Sequence, residues 1–139
     1  MIVPDSSVLV AGFVPGHRFH EAALSALAEV RSSGSLIAHT TAETFAVLSG
    51  PGGIYRAKAD AVVAYLGQFL QGSSPIQPRP GSYLEALGLL SDHGRSGGAI
   101  YDALIGLAAR DAGAELVSLD GRAGRTYALC GVEVRLLVG

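Results

Sequence analysis

The chain opens with MIVPDSSVLV, residues 1–10, and this stretch decides the fold. Its first four residues form a short apolar run, which predicts a buried strand that ends at Asp5. Ser6 or Ser7 is the predicted cap of a short helix over residues 8–13. A buried strand that ends at an acid and leads directly into a helix is typical of an α/β domain.

The pattern of alternating elements continues along the rest of the chain. Apolar residues at helical spacing predict helices over 18–32, 57–70, 82–90 and 99–112, and one from Thr40 or Thr41 to Leu48. Short apolar runs predict strands over 36–38, 115–119 and 132–137, with an edge strand at 75–78 and a loop or single helical turn at 120–125. We therefore expect one α/β domain over residues 1–139. Its central, mostly parallel, twisted sheet of four to five strands should carry helices on both faces.

Composition narrows the class of protein. The 139 residues are 49% hydrophobic and 16% charged, as in a packed globular domain. A net charge of -2 argues against nucleic-acid binding through bulk positive charge. The single cysteine, Cys130, excludes a disulfide framework and is predicted to be an inert core residue. With no signal peptide and no apolar run near the ~20 residues of a membrane span, we expect a cytoplasmic protein without a membrane segment.

Four of the twelve acidic residues lie in apolar surroundings, where a solvated charge does not belong. Asp5 and Asp120 each follow a predicted strand, while Glu43 and Asp102 lie near predicted helix starts. Buried carboxylates without a cation nearby are costly, so they are paired, protonated or bound to a metal. Because ligands of open parallel sheets bind beyond the carboxyl ends of the strands, the four acids can converge on one site.

Convergent carboxylates repel one another, and a cation relieves that repulsion. Ligand sets made only of oxygen suit hard ions, so the expected cofactor is Mg²⁺ or Mn²⁺. Such an ion acidifies a bound water and stabilises charge on an attacked phosphate. From the residues alone, a metal-bound site that cleaves phosphate esters is the predicted chemistry.

Each acid also has a structural interpretation. Asp5 is a candidate helix cap, and Asp120 before Gly121 is a candidate turn residue. Glu43 fits the third position of a capping box that begins at Thr40 or Thr41, and Asp102 can serve the dipole of its helix. Each acid alone is weak evidence, and the prediction depends on all four sharing an apolar context.

These residues resemble the PIN-domain ribonucleases, and in particular the VapC toxins of bacterial toxin–antitoxin pairs. The opening VPDSSVL resembles the family's first strand and aspartate, and TAET at Glu43 resembles its glutamate motif. YDALIGLAA at Asp102 and LVSLDGRA at Asp120 resemble its later aspartate motifs. The resemblance covers the whole chain in the family's order, although 121–125 lacks the further acid or His-Phe pair that often follows the last aspartate.

The resemblance implies roles for particular residues. Asp5 and Asp102 would ligate Mg²⁺ or Mn²⁺ most directly, Asp120 directly or through water, and Glu43 through water as support or as base. Hydroxyls of two serines could hold ligands or waters, and three arginines are candidate phosphate contacts, although ordinary surface arginines are an equal alternative. These candidate substrate contacts are Ser7, Ser118, Arg95, Arg122 and Arg125.

The resemblance also implies partners. A VapC-type protein cleaves RNA, such as an exposed tRNA or rRNA loop, and so inhibits translation. It is expected to form a homodimer and to be held inactive by a small cognate VapB-type antitoxin, whose basic amphipathic tail suits an acidic site beside an apolar groove.

Two other functions stay open on the residues alone. A Mg²⁺-dependent DNA nuclease or phosphatase would use the same carboxylates. A covalent phosphatase would need a second aspartate two residues after Asp5, where Ser7 stands. The other alternative is a non-catalytic domain that binds RNA or a protein partner, although a pure binding surface has no use for four buried acids.

Overall fold

The computed structural model describes residues 1–137, which form three strands and seven helices. None of these helices is long and apolar enough to cross a membrane. The elements in chain order are β1 (Ile2–Pro4), α1 (Ser6–Phe13), α2 (His20–Ser33), α3 (Ala38–Ser49), α4 (Ala59–Leu70), α5 (Pro80–Asp92), α6 (Ala99–Asp111), β2 (Glu115–Ser118), α7 (Gly121–Leu129) and β3 (Val134–Leu136).

The three strands form one parallel sheet in the order β1-β2-β3. Val3 pairs with Leu116 across the first interface, and Leu116 pairs with Val134 across the second. Parallel neighbours need crossover connections, and the chain supplies them as the six helices between β1 and β2 and as α7 between β2 and β3. The parallel α/β prediction is confirmed.

Both faces of the sheet are buried under helices, as predicted. Val3 and Leu116 point into one apolar cluster, which residues of α5, α6 and α7 complete. Ile2 and Val117, one residue away in each strand, point into a second cluster with α1, α2 and α4. Because side chains alternate along a strand, neighbouring apolar residues serve opposite faces, which explains why both strands read as continuous apolar runs.

The sheet has three strands within residues 1–137, and the prediction of four to five was wrong. The predicted strands at 36–38 and 75–78 are present only as an isolated parallel bridge between Ile37 and Ile76. Two backbone bonds make this bridge, from the Ile76 N–H to the Leu36 carbonyl and from the Ala38 N–H to the Ile76 carbonyl, each 2.8 Å long. No room remains for a longer strand because α3 begins at Ala38.

Helix starts also differ from the prediction. Asp5, rather than Ser6 or Ser7, caps α1, since its side chain accepts a hydrogen bond from the Ser7 N–H. Thr40 and Thr41 lie inside α3, whose cap residue Ile37 offers no side-chain bond, so Glu43 is not part of a capping box. Residues 120–125, expected to be a loop or single turn, begin the nine-residue helix α7.

A close approach of α6 and α7 fixes the position of α7 against the core. A Cβ atom added at Gly106 of α6 would lie 2.8 Å from the Sγ of Cys130 and 3.4 Å from a ring carbon of Tyr127. Cys130 itself is buried, and burial raises the pKa of its thiol to about 11. The cysteine is therefore an unreactive packing residue, as predicted.

Candidate active site

The four acids lie in four different parts of the fold. Asp5 directly follows β1, and Asp120 lies two residues beyond the end of β2. Glu43 lies in the second turn of α3, and Asp102 lies in the first turn of α6. Because β1 and β2 are parallel, their carboxyl ends meet at one edge of the sheet, and this edge brings Asp5 and Asp120 to the same place.

Asp5 is buried, with only 3% of its surface exposed. Its Oδ1 accepts hydrogen bonds from the N–H and the hydroxyl of Ser7, at 3.1 and 2.5 Å. Its Oδ2 accepts from the hydroxyls of Ser118 at 2.5 Å and of Tyr127 at 3.0 Å. Burial raises the pKa of Asp5, and the hydrogen bonds from Ser118, Ser7 and Tyr127 partly oppose that rise.

Ser7 and Ser118 also connect Asp5 to the segment that carries Asp120. The Ser7 hydroxyl oxygen accepts a bond of 2.9 Å from the Leu119 N–H. The Ser118 hydroxyl oxygen accepts one of 2.9 Å from the Asp120 N–H. The two serines therefore position backbone and carboxylate together. Their hydroxyls hold Asp5, a predicted metal ligand, and their expected contacts to substrate or water stay a prediction.

Tyr127 is a site residue that sequence reasoning missed. It is almost completely buried in α7 and donates its hydroxyl to Asp5. Burial raises the pKa of the Tyr127 phenol far above its ordinary value, so the hydroxyl stays protonated. The spacing of Ala123 and Tyr127 on one face of a helix was the available signal, and the expectation of a loop at 120–125 concealed it.

Three of the four acids, Glu43, Asp102 and Asp120, line a cleft of about 700 Å³, which we call the acid cleft. The buried Asp5 is not part of its lining, but its charge acts on Asp102. Asp102 is only partly exposed there, and burial together with the charges of Glu43, Asp120 and Asp5 raises its pKa to about 6. Arg95 opposes that rise. Residues lining the acid cleft include Glu43, Arg95, Tyr101, Asp102, Asp120, Arg122 and Thr126.

Glu43 is held in place from two sides. Its Oε1 accepts a hydrogen bond from the Ser6 hydroxyl at the start of α1. Its Oε2 lies 4.0 Å from Nε2 of His39, one helical turn earlier in α3. About a third of the Glu43 side chain remains exposed, so the carboxylate is both oriented and accessible from the acid cleft.

Asp120 combines a structural contact with its place in the acid cleft. Its Oδ1 accepts from the N–H groups of Arg122 and Ala123, at 2.9 and 3.2 Å, and so caps α7. An N-cap aspartate satisfies free N–H groups of the first helical turn and favours the helix dipole. The capping interpretation of Asp5 is thus realised, whereas Asp120 is a helix cap rather than the turn residue that was expected. Both carboxylates nevertheless act on Asp102 within the acidic cluster.

The donor set fits a hard divalent cation. Within residues 1–137, no three His, Cys, Asp or Glu side chains are grouped closely enough to form a ready-made metal site. The carboxylates nevertheless raise the pKa of Asp102 together, a repulsion that a cation would relieve. Thr126 lines the same cleft and has a buried hydroxyl without a hydrogen-bond partner, which the water of a hydrated ion could satisfy.

The three candidate arginines do not lie together. Arg95 and Arg122 line the acid cleft, where they are the positive charges opposite the carboxylates. Arg125 lines a separate, mainly apolar groove with Ala128, Val134 and Leu136. Of the sequence candidates for phosphate contacts, the acid cleft thus brings together Arg95 and Arg122 but not Arg125.

Comparison with known proteins identifies the family. The profile of the PIN domain matches residues 2–129. The chain is 43% identical over 137 residues to Ribonuclease VapC40 of Mycobacterium tuberculosis, which covers 99% of both chains. It is 33% identical over 131 residues to Ribonuclease VapC27 of the same species, covering 94% of this chain and 92% of the relative.

Solved structures support the same fold at lower sequence identity. The crystal structure of FitAcB from Neisseria gonorrhoeae superposes with a TM-score of 0.72 at 19% identity, covering 99% of this chain and 98% of that one. A structure of FitAB bound to an IR36 DNA fragment gives a TM-score of 0.69 at 19% identity, with coverage of 99% and 95%. At this identity the likeness concerns the fold alone.

Proposed function

The chain belongs to the PIN-domain family, and on this basis we propose that it is a VapC-type endoribonuclease that depends on Mg²⁺ or Mn²⁺. One observation carries the proposal: four carboxylates from four elements converge beside one cleft, at the carboxyl ends of two parallel strands. The names of the VapC relatives supply the substrate class, which the carboxylates alone leave open.

In this proposal, Asp5, Asp102 and Asp120 hold the cation. A bound Mg²⁺ or Mn²⁺ supplies an acidified water and neutralises charge on the attacked phosphate. Glu43, oriented by Ser6 and open to the acid cleft, is suited to accept the proton of the attacking water. Attack on phosphorus breaks the bond to the 3′ oxygen, which leaves a 3′-hydroxyl and a 5′-phosphate.

The acid cleft limits which RNA can react. Arg95 and Arg122 line the acid cleft, and in this proposal they contact backbone phosphates of the bound strand. Unpaired RNA has a flexible backbone and splayed-out bases that suit such a cleft. We therefore propose an exposed tRNA or rRNA loop in the cytoplasm as substrate, and inhibition of translation as the outcome of cleavage.

A second groove beside the acid cleft supports the proposed antitoxin partner. The groove encloses about 450 Å³, is lined by apolar side chains such as Val10, Phe19 and Tyr55, and shares Asp120 with the acid cleft. A basic amphipathic tail could place apolar residues in this groove and a cation at the carboxylates. Co-expression with the small protein of a neighbouring gene, followed by co-purification, tests the pairing.

A homodimer is the expected assembly. Helix α5 exposes Leu84 and Leu87, at 76% and 54%, which are apolar side chains that a second copy could cover. Light scattering measures the assembly directly, and a Leu84→Asp variant should shift a dimer to monomer. A protein that is monomeric at all concentrations would contradict the dimer and leave the ribonuclease proposal intact.

The sharpest test of function is cleavage of total RNA by the purified protein. We expect Mg²⁺- or Mn²⁺-dependent cleavage that EDTA abolishes, with Asp5→Asn and Asp102→Asn each slower by about 100-fold or more. Asp60→Asn is the matched control because Asp60 is an exposed acid on α4, away from the acid cleft.

The alternatives give different results in the same assay. Undiminished cleavage in both site variants would show that the assigned residues are wrong. Cleavage of DNA with intact RNA, or release of phosphate from a phosphomonoester, would indicate the other metal-dependent chemistries. Binding of RNA without any cleavage would indicate a non-catalytic module.

A further inference from the structure

Tyr101 is an exposed aromatic residue at the acid cleft, directly before Asp102. Half of its surface is accessible, although most apolar neighbours along α6 are buried. It lines the cleft together with Glu43 and Asp102. The proposed chemistry assigns no role to this ring.

His39 fixes the orientation of the Tyr101 ring. The two rings are stacked in parallel, with centroids 4.9 Å apart and an angle of 1° between their planes. His39 lies in α3, so the stack connects the helix that carries Glu43 to the helix that carries Asp102. His39 is not part of the cleft lining, so its imidazole supports the Tyr101 ring from behind while Tyr101 lines the acid cleft.

Positive charge lies in the same cleft. Arg95 and Arg122 offer guanidinium groups to phosphates, while Tyr101 offers a flat apolar surface. Proteins recognise single-stranded nucleic acid with this combination, since bases stack on aromatic rings while cations follow the backbone. An apolar protein partner would have no use for arginines beside the ring, so the pairing of an exposed ring with guanidinium groups favours a nucleotide.

We propose that Tyr101, supported by His39, is a stacking platform for one nucleobase next to the scissile phosphate of single-stranded RNA. The proposal rests on the ribonuclease function proposed above and adds a base-binding subsite to it. Stacking accepts every base because each has a π face, so the platform orients the strand and contributes to affinity rather than reading sequence.

Binding and cleavage of an unstructured RNA about 12 nucleotides long test the platform. Tyr101→Leu should weaken binding about 5- to 50-fold, as loss of one base stack does, and should raise KM more than it lowers kcat. Tyr101→Phe keeps the ring and should stay within about twofold of wild type. Phe45→Leu is the control, since Phe45 is an aromatic residue of α3 with 38% exposure outside the cleft lining.

A double-mutant cycle with abasic RNA distinguishes stacking from other effects. One base at a time is removed from the RNA, and binding is measured in the cleavage-deficient Asp5→Asn protein with and without Tyr101→Leu. We expect one position at which loss of the base weakens binding to the Asp5→Asn protein but not to the double variant Asp5→Asn/Tyr101→Leu.

Three results would overturn the platform. In the first, removing a base weakens binding equally in the Asp5→Asn protein and in the double variant at every position. In the second, Phe45→Leu loses as much RNA affinity as Tyr101→Leu. The third is a Tyr101→Leu variant that binds RNA normally but no longer binds its antitoxin, which would assign the ring to a protein interface. A wild-type protein that cleaves no RNA would instead contradict the proposed function, so the two failures are distinguishable.

Discussion

Asp5 and Asp102 belong to one site but have opposite surroundings. Asp5 is buried and accepts four hydrogen bonds, from Ser7, Ser118 and Tyr127. Asp102 borders the acid cleft, and no hydrogen-bond donor of residues 1–137 reaches its carboxylate. Burial and repulsion by the neighbouring acids raise the pKa of Asp102 to about 6, and the charge of Arg95 opposes that rise.

The difference separates the interactions that the fold provides from those that the proposed cation would provide. The carboxylate of Asp5 is oriented by the protein alone, because its two oxygens accept hydrogen bonds from α1, β2 and α7. The charge of Asp102 is disfavoured by burial and by the neighbouring acids, with only the Arg95 charge acting against them, and the proposed cation would relieve this penalty. Burial raises the pKa of both carboxyls, but only at Asp5 do hydrogen bonds of the fold oppose the rise. Removing Asp5 should therefore destabilise the protein, whereas removing the charge of Asp102 should stabilise the metal-free protein.

Asp5→Ala should give the largest effect on stability. It leaves the buried hydroxyls of Ser118 and Tyr127 without their acceptor, and we expect a loss of roughly 2–3 kcal/mol in the free energy of unfolding. Urea denaturation in EDTA measures the change. Stability equal to wild type would show that the hydrogen-bond network at Asp5 does not support the fold.

Asp102→Asn should act in the other direction and stabilise the metal-free protein. The pKa of Asp102 is raised from 3.8 to about 6, so its charge destabilises the fold above pH 6, by about 1–2 kcal/mol after allowance for partial exposure. The penalty fades as the pH falls from 6 towards 3.8, because the carboxyl is then protonated in the folded protein.

Thermal unfolding in EDTA measures this advantage of the asparagine variant. We expect it to be nearly full from about pH 7.5 down to about pH 6, roughly half at about pH 5 and mostly gone by about pH 4. A destabilised variant at neutral pH, or a gain independent of pH, would contradict the assigned electrostatics. Asp60→Asn should show neither the gain nor its pH dependence, because Asp60 is exposed on α4.

Tyr127→Phe should weaken cation binding by roughly tenfold, as loss of a group that orients a ligand often does. The variant removes one hydroxyl that holds the Asp5 carboxylate and keeps the buried ring. Calorimetric titration with Mn²⁺ measures the affinity without requiring activity. Tyr65→Phe is the control, since its hydroxyl donates to the Leu9 carbonyl away from the acid cleft. Unchanged or tighter Mn²⁺ binding would show that Asp5 must release Tyr127 to reach the ion.

Arg95→Ala and Arg122→Ala should give the smallest effects, a loss of about 2- to 10-fold in RNA affinity each, with a weaker dependence on salt. Arg125→Ala serves as the comparison because Arg125 lines a different groove. Binding titrations at two salt concentrations measure the effect. Equal losses in all three variants would indicate that the arginines act through overall charge rather than through the acid cleft.

The parts of the fold that could be predicted from the sequence are those that depend on the pattern of apolar and polar residues within a short segment. The apolar runs before Asp5 and Asp120 indicated strands, and their parallel pairing followed from the helices between them. The positions of the acids at strand ends and helix starts are properties of a few neighbouring residues. Their roles as metal ligands stay predictions, which the cleavage and Mn²⁺-binding measurements test.

The remaining features depend on long-range packing. Residues 121–129 contain Gly121 and Gly124, which disfavour a helix, and the Asp120 cap with the buried face of Ala123 and Tyr127 overrides that preference. Tyr127 reaches Asp5 across 122 positions of the chain, which no local pattern encodes. The bridge at Ile76 stays short because α3 begins at once, which the pattern of 36–38 did not indicate.

The contact between Gly106 and Cys130 constrains the order in which substitutions at these two positions can be tolerated. A methyl group at Gly106 would lie 2.8 Å from the cysteine sulfur and 3.1 Å from its Cβ, so alanine there displaces α7, which carries Tyr127. Once Cys130 has become alanine, the contacts to its Cβ at 3.1 Å and to the Tyr127 ring at 3.4 Å remain, and a shift of a few tenths of an ångström can absorb them. The two substitutions are therefore accessible in one order, with residue 130 changing first.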